Sequence, residues 1–457
     1  MRLPPVLDVT ALPQAELSAT AKQLIEKIQS KTARVAIIGL GYVGLPLAVC
    51  IAKVGFSVIG IDVNPRRVEK VNTGDSYITD VESETLQSLV NTGAIEASTH
   101  FDCLDDADAI VICVPTPLTK NRDPDISYIR ATTTEIAQRL RPGQLISLES
   151  TTYPGTTQEV MLPILEKVSG LRVGQDFFLS HSPERVDPGN ARYTTHNTNK
   201  VVGGVTTACN QVAAAFYRQS IQHVVSVSSP GCAEMVKVFE NTFRAVNIAL
   251  VNELALLCDK MNLNVWEVVD AAATKPFGMM RFTPGPGVGG HCIPIDPFYL
   301  TWKAREYNFH TRFIELAGEI NSHMPQFVRE KILRALGKRG KPLYGSSILL
   351  MGMAYKKDLG DWRQSPALDL FHLLQQDQAA VMYHDPHVPK IEDSAGQEHY
   401  SRSLTEDTLA LADCVVIVTD HSEFDYEWIV QHSPVVVDTR NATAHIADTF
   451  KQKVILL

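Results

Sequence analysis

Residues Arg34-Val35-Ala36-Ile37-Ile38-Gly39-Leu40-Gly41-Tyr42-Val43-Gly44 decide how the first half of this chain is read. Five residues with the pattern of a buried strand run straight into a G-x-G-x-x-G turn. Leu45 to Val54 then reads as a helix, and Ser57-Val58-Ile59-Gly60-Ile61 as a second strand that ends in Asp62. The glycine spacing alone is a weak signal. A strand before it, a helix after it and an acidic residue eighteen positions past the last glycine make it a dinucleotide-binding βαβ unit. The first two glycines permit the turn and a close approach of pyrophosphate, and the third lets helix and strand pack. The helix N-terminus adds amides and a positive dipole end. The candidate cofactor contacts here are Gly39, Gly41, Tyr42, Val43, Gly44, Asp62 and Arg67. Asp62 should accept from ribose hydroxyls and repel a 2′-phosphate, so NAD is expected over NADP, although Arg66 and Arg67 lie close by.

Working outward, further strands end in polar residues. Ala109–Val114 leads to Thr116, Leu145–Leu148 to Thr151, and Phe177–Ser180 to Glu184 and Arg185. Ligands of an open parallel sheet lie beyond the carboxyl ends of its strands, which makes Thr116, Thr151 and Glu184 candidates for the cofactor and reaction cleft. The plain alternative for each is a turn or cap residue, and for Thr116 taken alone that alternative is equally good.

Between Cys232 and Lys275 there is neither Gly nor Pro, which reads as one long helix or two. Phe239, Phe243, Val246, Leu250, Leu254 and Leu257 form one apolar face, and a helix of this length is expected to link domains or support a subunit interface. Lys237 and Asn241 are one turn apart, and together could stabilise an oxyanion. After Pro342 the strand–helix rhythm returns with Ser347–Gly352, Pro366–Gln376, Ala380–Tyr383, Cys414–Val418 and Val435–Val437, a second Rossmann-like set without a glycine fingerprint. Lys356, Lys357 and Arg363 follow its first strand and Arg440 its last, cations suited to a second phosphate-bearing ligand.

One stretch remains. Gly285-Pro286-Gly287-Val288-Gly289-Gly290-His291-Cys292-Ile293-Pro294-Ile295-Asp296-Pro297 places a thiol and a carboxylate four residues apart behind a glycine-rich run. If a helix starts there, Cys292 and Asp296 share a face, an arrangement suited to covalent chemistry on a small molecule. Taken alone, a buried cysteine in a glycine-rich loop explains the stretch equally well.

The bulk numbers fit an ordinary soluble protein. The 457 residues suggest two or three domains, and 45% are hydrophobic and 20% charged. A net charge of -9 argues against nucleic acid as a partner. Eight scattered cysteines without metal-ligand spacing point to a reducing cytoplasm and no metal site. Residues 1–33 lack the features of a signal peptide, and Leu17, Ala21, Leu24, Ile25 and Ile28 repeat at helical spacing. No apolar run approaches the ~20 residues of a membrane span.

Taken in order, Gly-Leu-Gly-Tyr-Val-Gly-Leu-Pro-Leu-Ala from Gly39, Val-Pro-Thr-Pro from Val114, Glu-Ser-Thr from Glu149, Ser-Pro-Glu-Arg from Ser182, Lys237 with Asn241, Gly-Gly-His-Cys-Ile-Pro-Ile-Asp-Pro from Gly289 and Lys-Lys-Asp-Leu-Gly-Asp-Trp-Arg from Lys356 form a set. From about Arg34 to the C-terminus the chain resembles the UDP-glucose/UDP-N-acetylhexosamine 6-dehydrogenase family. The resemblance implies an α/β protein with two Rossmann-like doubly wound domains joined by a long central helix. Its parts would be a helical extension (1–33), an NAD-binding domain (34–229), a central region with the cysteine loop and a dimer contact (230–335), and a UDP-binding domain (336–457). It implies NAD-dependent four-electron oxidation of a UDP-sugar at C6, in surface polysaccharide precursor synthesis. By that resemblance Cys292 is the nucleophile, Lys237 and Asn241 stabilise oxyanions, Asp296 takes protons through water, and Glu184 and Thr151 position the hydrolytic water. Arg363 falls to the cofactor. Glu184, Arg185, Lys237, Asn241, Gly287, Gly289, Lys356 and Arg440 fall to the sugar nucleotide. His291 marks a subfamily rather than a general base. UDP-N-acetylglucosamine is the first choice of substrate, UDP-N-acetylmannosamine the second and UDP-glucose the third. A two-electron hydroxyacid dehydrogenase and an NAD or UDP-sugar sensor without turnover are the competing classes.

Overall fold

A computed structural model describes residues 16–119, 123–187, 190, 192–393 and 395–457. Residues 1–15 of the extension, and Pro188 and Gly189 shortly after Arg185, lie outside the described residues. The chain divides into two compact units. One comprises Met1–Glu240 with Trp302–Phe309, the other Asn241–Thr301 with His310–Leu457.

The first unit is built on an eight-stranded sheet: β1 (Arg34–Ile38), β2 (Ser57–Ile61), β3 (Ile95–Ser98), β4 (Ala109–Ile112), β5 (Leu145–Leu148), β6 (Phe178–His181), β7 (Lys200–Gly204) and β8 (Val224–Val227). Its order is β3-β2-β1-β4-β5-β6-β7-β8. All pairs are parallel except β6 with β7. Val35 stands beside Val58 on one side and Ala109 on the other, so the chain reverses its winding direction at β1. In an open α/β sheet that reversal opens the ligand crevice, and Gly39 follows β1 there. β4 and β5 are buried along their whole length, as expected for strands covered on both faces. The expected N-terminal helix spans Ala19–Gln29, capped by the Ser18 side chain, and buries Ala21, Leu24 and Ile28. Lys27 of this helix also donates to Asp108 at 2.9 Å.

The second unit carries β9 (Ser347–Met351), β10 (Ala380–His384), the hairpin β11 (Lys390–Glu392) and β12 (Glu398–Tyr400), β13 (Cys414–Ile417), β14 (Val436–Asp438) and β15 (Val454–Leu456). Its main sheet is parallel, in the order β10-β9-β13-β14-β15. The hairpin and β15 go beyond the strands expected from sequence. The Pro366–Gln376 helix forms where expected, with Ser365 as its cap.

The expected helical run from Cys232 to Lys275 is two helices, Pro230–Met261 and Val265–Ala273. Asn262 ends the first in a left-handed conformation, φ 55°. Its N–H bonds the Asp259 carbonyl and that of Leu263 the Cys258 carbonyl, a helix-stop pattern in which Asn replaces the usual Gly. The first helix starts two residues before the expected Cys232, and Pro230 occupies its first turn, where a missing N–H costs nothing.

Candidate active site

The candidate cofactor residues Gly39–Gly44, Asp62 and Arg67 lie in the first unit. Gly39 has φ +95°, and a Cβ there would lie 2.5 Å from the Cys113 carbonyl oxygen. At Gly44 a Cβ would lie 1.8 Å from the Gly39 oxygen. At Gly41 a Cβ would meet nothing within 4 Å. Gly39 and Gly44 thus serve the turn, whereas Gly41 leaves room for a ligand. The helix Gly44–Lys53 starts here, beside half-buried Val43 and exposed Tyr42. Asp62, buried at the end of β2, accepts from the Leu40 amide at 2.9 Å and from Arg67 at 3.3 Å. Glycine turn, open space at Gly41 and acidic strand end fit a dinucleotide with two free ribose hydroxyls.

Thr116 and Thr151 are brought together, the Thr116 hydroxyl donating to the Thr151 carbonyl at 2.7 Å. Glu184 follows β6, and one of its oxygens accepts from the amides of Arg185 at 2.7 Å and Val186 at 2.6 Å. Burial pushes its carboxyl up, but Lys200, the Val186 amide, Lys237 and the Arg185 amide outweigh that and hold it below its ordinary value. Lys237, one of those charges, is itself half-buried. The Arg185 guanidinium is engaged by Glu240 at 2.5 Å and by the Asn199 carbonyl at 2.7 Å.

The candidate nucleophile Cys292 lies in the second unit. Cys292 is exposed. The helix expected to start around it runs Asp296–Arg305 instead, and Cys292 forms the turn before it. Its carbonyl accepts from the Asp296 amide at 2.8 Å, so the two residues are still one hydrogen-bonded turn apart. Asp296 is buried, and its carboxylate accepts from the Asn241 side chain. Asn241 and Asp296, 55 residues apart in the chain, are thereby linked, with Cys292 one turn from Asp296. Gly287 and Gly289 do make close approaches, but to the protein itself. A Cβ at Gly287 would meet Pro366 at 3.0 Å, and one at Gly289 would meet Pro366 and Tyr355 at 2.8 Å. Gly290 donates to the Gln364 carbonyl at 3.2 Å. The cysteine loop therefore lies on the 355–366 loop that follows β9.

On that loop Lys356 is half-buried and Lys357 exposed. Arg363 is exposed and donates to both oxygens of Asp361, at 2.9 and 2.8 Å. Arg440 donates to the Val418 carbonyl at 2.8 Å and its guanidinium nitrogen lies 2.8 Å from where a Gly285 Cβ would be.

The two sheets repeat one design with opposite outcomes. Gly352 ends β9 as Gly39 ends β1, and Asp385 follows β10 as Asp62 follows β2. Asp385, however, is fully occupied by the amides of Met353, Ala354, His387 and Val388 and by His421. An acidic group so saturated cannot receive a ribose, which agrees with the missing glycine fingerprint. Asp358, His387 and His421 have metal-ligating spacing. Both ring nitrogens of His421 are already engaged, by the Asp358 amide and by Asp385.

Sequence reasoning missed Glu149, Lys200 and Asp361. Glu149 directly follows Leu148 at the end of β5, and Asp361 lies in the Lys-Lys-Asp-Leu-Gly-Asp-Trp-Arg motif. Lys200 opens β7 with no local signal, because its partners are 51 and 16 residues away.

This architecture, a Rossmann sheet with a glycine turn and an acidic strand end, is that of an NAD-dependent oxidoreductase. The NAD-binding domain of the UDP-glucose/GDP-mannose dehydrogenase family matches residues 33–221, its central domain 232–323 and its UDP-binding domain 349–445. The chain belongs to that family of NAD-dependent nucleotide-sugar dehydrogenases. It is 36% identical to the UDP-N-acetyl-D-mannosamine dehydrogenase of Pyrococcus horikoshii, over 89% of this chain and 95% of that one. It is 35% identical to the UDP-N-acetyl-D-glucosamine 6-dehydrogenase of Pseudomonas aeruginosa, over 86% and 92%. The solved structure of UDP-D-ManNAc dehydrogenase from Pyrococcus horikoshii matches with a TM-score of 0.82 at 34% identity, covering 90% of this chain and 96% of that one. Among the described residues no helix is long and apolar enough to cross a membrane.

Proposed function

We propose that this enzyme oxidises the C6 hydroxymethyl of a UDP-N-acetylhexosamine to the carboxylate in two two-electron steps, with Cys292 as nucleophile. UDP-N-acetylglucosamine is the first substrate to test and UDP-N-acetylmannosamine the second, since relatives of nearly equal identity bear each name. The observation that carries the reading is the exposed Cys292, one hydrogen-bonded turn from a buried Asp296 that Asn241 holds. Gly39–Gly44 and Asp62 hold NAD, with Tyr42, Val43, Arg67, Thr116 and Arg363 assigned to it as well. When bound, NAD⁺ accepts the hydride of each step, so two equivalents are used per sugar.

Cys292 adds to the C6 aldehyde, forming the C–S bond while the carbonyl pair moves to oxygen. The tether keeps C6 aligned for the second oxidation, which a freely hydrating aldehyde would not be. Lys237 and Asn241 stabilise the oxyanions, and Asp296 accepts protons through water. Glu184 and Thr151 hold the water that hydrolyses the thioester. Arg185, Gly287, Gly289, Lys356 and Arg440 are assigned to the sugar nucleotide and the walls around it. The product is a precursor for surface polysaccharide.

NADH stoichiometry across a panel of UDP-sugars tests this. Two NADH per UDP-N-acetylglucosamine, with little from UDP-glucose, is the expected result. One NADH with every sugar would sink the four-electron reading, and saturable binding without NADH would make the protein a sensor.

We also propose a homodimer built on the Pro230–Met261 helix. Phe239 is 61% exposed, Leu250 62% and Leu257 52%, on one stripe of that helix. Burying each such side chain contributes roughly 1.5–3 kcal/mol, which a partner copy would supply. None of the eight cysteines forms a disulfide, which suits the proposed cytoplasmic location.

A further inference from the structure

We propose that Lys200 is a positioning residue for Glu184: its buried ammonium fixes the carboxylate that activates water for hydrolysis of the acyl-enzyme, and Glu149 anchors the ammonium in turn. The proposal rests on the roles given above to Cys292 and Glu184, and adds that in the hydrolytic step Glu184 takes a proton from the water it holds.

Lys200 opens β7, and its side chain is 5% exposed, against 0% for Glu149 and 14% for Glu184. Its Nζ donates to Glu149 Oε2 and lies 3.5 Å from Glu184 Oε2. The other Glu184 oxygen takes the Arg185 and Val186 amides. Both carboxylate oxygens thus have a fixed partner, and the group cannot rotate without losing one. An ammonium taken out of water costs several kcal/mol unless it is well paired. The four residues that follow in β7 are buried Val, Val, Gly and Gly, so the strand needs no charge at this point. What the lysine adds is a fixed positive charge between two carboxylates, one of which is the Glu184 proposed above to hold the hydrolytic water.

The other titratable groups that act on this cluster are Cys113, Tyr217, His181, Cys50 and Lys237. Burial pushes the thiols and Tyr217 up, and burial with Lys200 pushes His181 down to about 3, so none of these gains charge near neutral pH. Glu149 is pushed up to about 7 by burial against the pull of Lys200. Glu184 is displaced the other way, with Lys200 the largest of the groups that lower it. In the step concerned, one water proton passes to the Glu184 carboxylate, the O–C6 bond forms, and the C6–S bond breaks with its electron pair leaving on Cys292 Sγ.

The test is intact-protein mass spectrometry of enzyme quenched during turnover with UDP-N-acetylglucosamine and NAD⁺, with NADH followed in parallel. Lys200→Met is expected to keep both hydride steps within about threefold and to slow decay of the Cys292 acyl adduct at least about tenfold. The acidic limb of that decay moves to higher pH by about one unit, because a buried carboxylate without its cation holds its proton more tightly. Lys200→Arg restores both. If Lys200→Met does not fold, Lys200→Met with Glu149→Met removes the pair as a neutral unit and carries the same expectation. Unchanged decay and pH profile in the variant that folds overturns the proposal, as does equal slowing of every step without rescue by arginine. Glu184→Gln is measured alongside. Normal adduct decay in that variant removes the Glu184 reading together with this one, whereas slow decay there and normal decay in the Lys200 variant removes this one alone.

Discussion

Nε2 of His291 lies 3.1 Å from Oδ2 of Asp361, so the residue beside the thiol is tied to the loop that follows β9. The His291 ring also meets Tyr355 edge-on at 6.0 Å. The histidine that the family resemblance treats as a subfamily mark thus makes a mechanical link within the second unit. His291→Ser should lower kcat about tenfold by letting Cys292 wander, since a shift near 1 Å can cost as much as ~100-fold. Steady-state kinetics with NAD⁺ in excess checks this, and a kcat within twofold of the parent would refute it.

Asp361 is the other half of that link. Burial pushes its carboxyl up, but Arg363 and His291 outweigh this and hold it far below the ordinary carboxylate range. A carboxyl depressed in the folded state contributes stability above its unfolded pKa of about 4, and that contribution fades as pH falls through the folded value. Asp361→Asn should therefore cost about 1–3 kcal/mol near neutral pH. The gap in Tm between variant and parent should narrow on acidification. A gap that stays constant from pH 7 to pH 3 would contradict the assignment.

The three glycines of the N-terminal turn make separable predictions. Gly44→Ala drives a Cβ into the Gly39 carbonyl and should lower Tm as well as NAD affinity. Gly41→Ala meets nothing in the protein, so Tm should hold while NAD binding weakens about tenfold or more. Calorimetry and NAD titration on both variants decide. Intact NAD affinity in Gly41→Ala would move the pyrophosphate elsewhere.

Cys292→Ser and Cys292→Ala should both abolish formation of uronate, by about a thousandfold or more, because neither forms a thioester that water can hydrolyse. Binding of NAD should not change, since every glycine-turn residue remains. Sustained production of two NADH per sugar by Cys292→Ala would remove the thiol from the mechanism.

Leu250→Glu places a charge in the middle of the exposed apolar stripe. Light scattering should show the parent as at least a dimer and the variant shifted towards monomer, with Tm lowered because the stripe loses its cover. A parent that scatters as a monomer would refute the dimer.

Much of this was legible along the chain. The Rossmann turn, Asp62 and the Pro366–Gln376 helix are written in stretches of about thirty residues or fewer, where local spacing fixes what the backbone can do. Cys292 and Asp296 were legible as a one-turn pair even though the helix starts at Asp296 rather than before it. The break at Asn262 was not legible, because an asparagine only sometimes adopts the left-handed conformation and its neighbours decide. Nor was the use made of Gly287 and Gly289, since the atoms that press on them belong to Tyr355 and Pro366. Lys200 shows the limit most plainly. By itself it is a lysine at the start of a strand. It becomes a buried cation between Glu149 and Glu184 only when β5, the end of β6 and β7 lie side by side. The sequence determined which chemistries the chain can carry, through residue types at short spacing. The tertiary structure decided which charges lose water together, and charges separated by many residues meet only in the folded sheet.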